Sequence, residues 1–137
     1  MTVAKHPPGT AAAACPCGNA VPYTACCARY HAGPPHLLAP TAEALMRSRY
    51  SAFVLNLPDY LLATWHASTR PAVLEPHAPG LKWLGLVVRR YEPLDDNHAT
   101  VEFIARSKLG GRAQRLHEMS RFVREEGRWF YIDGDLR

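Results

Sequence analysis

Nowhere does this 137-residue chain hold the roughly 20 consecutive apolar residues that a membrane-spanning helix requires. It also lacks the apolar centre of a signal peptide. Ala12-Ala13-Ala14-Cys15 superficially resembles a lipoprotein cleavage box, but Lys5, His6, Pro7, Pro8 and Gly9 stand where the apolar stretch should be. These absences argue against secretion, lipid anchoring and insertion, and favour a reducing, cytoplasmic setting. Equally absent are a Gly-x-Ser-x-Gly elbow, a phosphate-cradling glycine loop and a dinucleotide fingerprint, which removes the commoner enzyme classes. Beyond the alanine run before Cys15 there is no low-complexity block, and no internal repeat.

Cysteine is scarce but concentrated, for all four fall between Cys15 and Cys27, in CPCGNAVPYTACC. Two close pairs joined by a short loop can wrap one zinc ion, and four thiolates would leave no coordination position for a catalytic water. A zinc here is therefore expected to be structural, one per chain, with Cys15, Cys17, Cys26 and Cys27 as ligands. The alternative is two disulfides, which would force a strained ring between the adjacent Cys26 and Cys27. His31 and His36 lie just downstream as substitute ligands. The formal charge of +4 and pI near 9.0 fall toward neutrality once thiolates and a dication are counted, so a polyanion partner is only weakly indicated.

This cysteine pattern resembles the SEC-C motif, two cysteines one residue apart followed by an adjacent pair, and Gly18 and Tyr23 fit it as well. The loop Asn19-Ala20-Val21-Pro22 lacks the lysines that many such motifs carry, so the resemblance does not extend to a nucleic-acid contact.

Residues 1–14 lack periodicity and predict a flexible tail. The SEC-C motif occupies 15–36, closed by Gly33-Pro34-Pro35, and 37–137 form the main domain. Thr41 is placed to cap a helix running to about Val54, whose apolar stripe is Ala42, Leu45, Met46, Tyr50, Phe53 and Val54. A second helix opens at Pro58 and carries Tyr60, Leu61, Leu62 and Trp65, and a short helical piece is predicted around Pro71 to Leu74. After Gly80 the texture becomes strand-like over Leu81–Tyr91, Thr100–Leu109, Ala113–Arg124 and Arg128–Asp133. Turns at Asp95-Asp96-Asn97, Gly110-Gly111 and Glu126-Gly127 separate these runs. Helices first and strands afterwards predict an α+β domain, with the helices covering one face of an antiparallel meander.

The segments ALMRSRYSAFV, DYLLATWHAST, WLGLVV and SRFVREEGRWFYIDG resemble the YchJ-type family, proteins of unsettled function whose body is similar to a nuclear transport factor 2-like cone. The resemblance covers about Cys15 to Gly134. It implies a curved sheet wrapped around helices with a pocket between them. Relatives often carry a second SEC-C motif at the C-terminus; the ending Asp135-Leu136-Arg137 implies a single finger here.

Arg49 stands between Leu45 and Phe53 at successive i+4 positions, which sets a guanidinium beside the apolar helix face, where it needs a partner. Strand alternation puts Glu118, Ser120 and Phe122 on one face and His117, Met119 and Arg121 on the other. Trp129, Tyr131 and Asp133 share a face unless a bulge intervenes. Glu118, or else Asp133, is then the expected partner of Arg49. Tyr50, Trp65, His66 and Trp83 would supply aromatic walls and polar tips, completing a pocket set with Arg49, Glu118, Ser120, Tyr131 and Asp133.

Each of these has a structural alternative. The Arg49 pair can organise the fold alone, His66 can end its helix, and the tryptophans can be core. The basic residues Arg106, Lys108, Arg112, Arg115, Arg121, Arg124 and Arg128 read as a solvated sheet face. Two function classes remain. The first is a zinc-stabilised interaction protein whose finger meets another protein, the ribosome or the export apparatus. The second is a small-ligand binder or isomerase/dehydratase-like enzyme, with His66, Glu118 and Tyr50 as the candidate catalytic set. The interaction reading is favoured, with a protein as the expected partner, and binding is favoured over catalysis; neither nucleic acid nor membrane is an expected partner.

Overall fold

A computed structural model of the protein describes residues 14–33, 35–75 and 78–137. The expected tail therefore lies outside the described residues, except that Ala14 forms an isolated antiparallel bridge with Pro22. A 3-10 turn over Tyr23–Ala25 leads into a single-turn helix α1 (Ala28–His31), followed by α2 (Ala42–Leu55) and α3 (Pro58–Ala63). Four strands complete the chain: β1 (Lys82–Asp95), β2 (His98–Leu109), β3 (Arg112–Glu125) and β4 (Arg128–Leu136).

Local chemistry sets the ends of these elements. Thr41 caps α2, its Oγ1 accepting the Ala44 amide at 3.0 Å, and Asn56 stops the helix in the left-handed conformation at φ 59°. Pro58 opens α3, where its missing N–H is no loss. The hairpins after β2 and β3 turn on Gly110-Gly111 and Glu126-Gly127, all at positive φ, as two-residue turns between twisted strands require. No helix forms over Pro71 to Leu74. Val73 there is 75% exposed while Leu74 packs on the main core, and a helix of four residues is too short to hold itself together.

The strands pair antiparallel in the order β1-β2-β3-β4, the expected meander. Helix α2 lies against the inner face, and Leu45, Tyr50, Leu61, Val101, Phe122 and Trp129 are among the residues of one buried core. Strand β1 breaks register three times, between Trp83 and Gly85, Val88 and Arg90, and Pro93 and Asp95. The free edge of β4 is covered at its middle, where the Tyr131 amide donates to the Thr64 carbonyl and the His66 amide to the Tyr131 carbonyl, at 2.9 and 2.7 Å.

Candidate metal centre and cone cavity

The first cysteine pair sits on a tight knuckle, in which the Gly18 amide donates to the Cys15 carbonyl and the Cys15 amide to the Val21 carbonyl. Gly18 has φ +97°, and a Cβ there would press on the Leu86 carbonyl at 3.2 Å, so glycine lets the knuckle approach β1. The second pair lies at the start of α1, where the Arg29 and Tyr30 amides donate to the Cys26 and Cys27 carbonyls. All four sulfurs are buried and lie within 4.8 Å of one another, with Cys17–Cys26 at 3.7 Å and Cys26–Cys27 at 4.0 Å. A tetrahedral site with metal–sulfur bonds near 2.3 Å sets neighbouring sulfurs about 3.8 Å apart, so the four thiols fit one metal ion. They do not form the two alternative disulfides, since every cysteine is free.

Electrostatics point the same way. Hydrogen bonds from the Cys17 and Cys27 thiols hold Cys15 far below the ordinary thiol range. The same contacts with Cys15 push Cys17 up to about 11 and Cys27 higher still. One thiolate thus suppresses the next, and a cation at the centre is what would let all four ionise together.

The finger is clamped to the cone. Arg47 Nη1 donates to the Cys17 carbonyl at 2.9 Å while its Nε holds Glu43 at 3.0 Å, and Cys15 Sγ meets Ser51 Oγ at 3.5 Å. His31 is no metal ligand: Nε2 donates to the Ser48 carbonyl at 2.8 Å, and Nδ1 accepts from the Tyr23 hydroxyl at 2.6 Å. A carbonyl can only accept, which fixes the proton on Nε2, and burial keeps the ring below its usual pKa and therefore neutral. The ring also packs edge-on against Tyr60 at 4.7 Å.

Between α2 and the sheet lies a cavity of about 270 Å³. Of the candidates from sequence, Arg49, Tyr50, Trp65, Trp83, Glu118, Ser120 and Tyr131 line it, joined by Met46, Phe53, Phe103, Ala105, Leu116 and Phe122. His66 and Asp133 do not. The His66 ring bonds Ser68 at 2.7 Å and Glu125 at 3.0 Å, away from the cavity, so His66, Glu118 and Tyr50 are not assembled as a catalytic set. Asp133 is on the outer face. The register shifts between Arg121 and Phe122, leaving Ile132 as an extra residue, and Asp133 takes the Arg121 Nε at 2.6 Å. That bulge reverses the alternation on which the shared face of Tyr131 and Asp133 depended.

The expected Arg49–Glu118 ion pair is also absent. Arg49, 6% exposed, donates through Nη1 to the Leu61 carbonyl at 2.8 Å and the Thr64 hydroxyl at 2.7 Å. Its guanidinium carbon lies 4.7 Å from the Tyr131 ring centre and 5.3 Å from that of Trp65. Burial lowers its pKa to about 10, against the opposing influence of Tyr131, Tyr60 and Glu118, so it stays charged at neutral pH. Glu118 Oε2 instead accepts from Ser120 Oγ at 2.6 Å and from the Tyr131 hydroxyl at 3.3 Å, beneath Gly134, where a Cβ would collide with the carboxylate. Because the two residues share Tyr131 and the cavity, stability losses from Arg49→Met and Glu118→Gln should couple in a urea double-mutant cycle, but by no more than about 1 kcal/mol. Coupling well above that would mean the two charges pair in solution.

A model of the YchJ middle domain, described as NTF2-like, matches residues 41–134. A UPF0225 protein of Bordetella bronchiseptica is 61% identical over 97% of this chain and 98% of its own length. A UPF0225 protein of Methylibium petroleiphilum is 61% identical, over 97% and 93%. Among solved structures, a SEC-C motif containing protein from Rhodopseudomonas palustris superposes with TM-score 0.78 at 33% identity, covering 89% of this chain and 97% of that one. Another, from Psychrobacter arcticus, gives TM-score 0.74 at 33% identity, covering 90% and 82%. No helix among the described residues is long and apolar enough to cross a membrane.

Proposed function

This chain belongs to the UPF0225 family with its YchJ-type NTF2-like domain, and from that membership we propose a binding protein in which structural zinc braces a ligand-holding cone. The observation that carries the reading is the pairing of a closed four-thiol cluster with a hollow, aromatic-lined cone. The thiols supply the soft, four-coordinate donor set that zinc favours, and a site they fill holds no water to activate. A reducing, cytoplasmic location would keep them available. The cavity brings together apolar walls and a few polar groups, the composition of a small-molecule site. Its carboxylate has no histidine beside it and one oxygen already engaged by two hydroxyls, which favours binding over turnover.

The interaction reading, a finger that recruits a protein such as a component of the ribosome or export apparatus, draws on the exposed loop Asn19–Val21, where Val21 is 43% exposed. Replacing that loop should abolish partner recovery in a pull-down if the finger does the recruiting.

Purified under reducing conditions, the protein should contain one zinc per chain by elemental analysis. Cys17→Ser or Cys27→Ser should reduce that content severalfold. Four freely titrating thiols with no bound metal would overturn the zinc assignment.

A further inference from the structure

We infer that the cone cavity is a receptor for a small monocarboxylate with an apolar or aromatic body, gripped by the Nε–Nη2 edge of Arg49. This rests on the reading of the cone as a ligand-binding element and names the chemistry of what it holds.

A guanidinium carries five N–H donors in a planar fork. In Arg49 the two on Nη1 are consumed by Leu61 and Thr64, and the rings of Tyr131 and Trp65, whose centres lie 5.2 Å apart, pack together beside the fork. Neither Nε nor Nη2 meets an acceptor among the described residues, yet neither is a sealed, unsatisfied atom, and Arg49 lines the cavity. A desolvated cation with one free edge turned toward an apolar chamber is the arrangement that a planar carboxylate completes with two parallel hydrogen bonds. The fixed hydrogen bonds on Nη1 hold that edge in place before anything binds, which limits the ordering that binding would require.

The same geometry restricts the ligand. The cavity's volume of about 270 Å³ lies at the low end of ligand pockets, which run from about 300 to 1,000 Å³, so the ligand is small. Its walls include Tyr50, Phe53, Trp83 and Phe103, which suit an apolar or aromatic body. The Glu118 carboxylate lines the same chamber, so a singly charged carboxylate meets less repulsion there than a phosphate dianion would.

Three probes of one shape test this: phenylacetate, phenylacetamide and 2-phenylethylamine, titrated into the zinc-loaded full chain and followed through the tryptophan indole N–H resonances. Trp65 and Trp83 line the cavity and Trp129 does not, so two indole signals should shift saturably with phenylacetate while the third stays. The acid should bind roughly tenfold to a hundredfold more tightly than the amide, as expected for charge-assisted hydrogen bonds. Arg49→Met should erase that preference. Because Arg49 also holds α3, Glu118→Gln provides a second measure, and it should tighten phenylacetate binding severalfold. Equal affinity for acid and amide, or weaker acid binding in Glu118→Gln, would overturn the carboxylate assignment and leave the cone as a ligand site. Preference for the amine would make Glu118 the anchor and likewise overturn it. No shift with any of the three would overturn both the assignment and the reading beneath it.

Discussion

If the four-thiol cluster holds a metal ion as proposed, stripping it with a strong chelator under reducing conditions should lower the melting temperature by at least about 10 °C, in a single transition that includes the cone. The size follows from two quantities. Structural zinc contributes apparent binding energies of about 10–16 kcal/mol in small finger peptides. In a chain of this length each kcal/mol lost shifts the midpoint by roughly 3 °C, so even a few kcal/mol suffice. The single transition follows from the packing. Tyr30, from the finger's own helix, belongs to the main core, and His31 and Arg47 tie finger to cone through Ser48 and Cys17. Near-UV circular dichroism of the cone tryptophans checks it. If that signal melts at an unchanged temperature while only the finger loosens, the finger is an independent module.

Phe122→Ala should destabilise the protein by about 3–5 kcal/mol in urea unfolding, the usual range for removing a buried phenylalanine. Phe122 is 2% exposed in the last third of β3, and its ring meets Tyr131 edge-on at 5.8 Å. Truncation would merge the vacated space with the existing cavity and remove the support that holds Tyr131 under Arg49. Phe53→Ala, at a partly buried cavity residue, should be clearly milder. Equal losses at the two positions would mean that the sheet side of the cone is not packed as described.

Much of the architecture was legible because its signals are local. The Thr41 cap, Pro58 and the glycine turns depend on neighbours a few residues away, and the Cys15 to Cys27 spacing carries its chemistry within itself. What escaped depends on register and on docking. One extra residue at Ile132 sends Asp133 to the outer face, and nothing in Trp129 to Asp133 marks where that bulge falls. The partner of Arg49 depended on the same unknown register. Instead of a carboxylate, the guanidinium found a helix-end carbonyl, a hydroxyl and two rings. The docking of the finger did leave a trace. Ser48 and Ser51 are fully buried on α2, outside its apolar stripe, and small polar residues there indicate a second covered face. His31 read as a spare ligand because its true acceptor, the Ser48 carbonyl, is backbone and invisible to any motif.

The three register breaks in β1 bear on how the molecule survives at high concentration. A strand of 14 residues at the rim of a sheet is a template on which a second chain could add its own strand, the first step towards aggregation. Here no stretch of regular pairing with β2 exceeds four residues, from Gly85 to Val88 and from Arg90 to Pro93. Pro93 withholds an amide, and Arg89 and Arg90 bring charge to the border. An incoming strand would lose alignment at each break. The opposite rim is occupied by the Thr64–His66 segment, so copies of the cone meet with neither border open to continuous zippering.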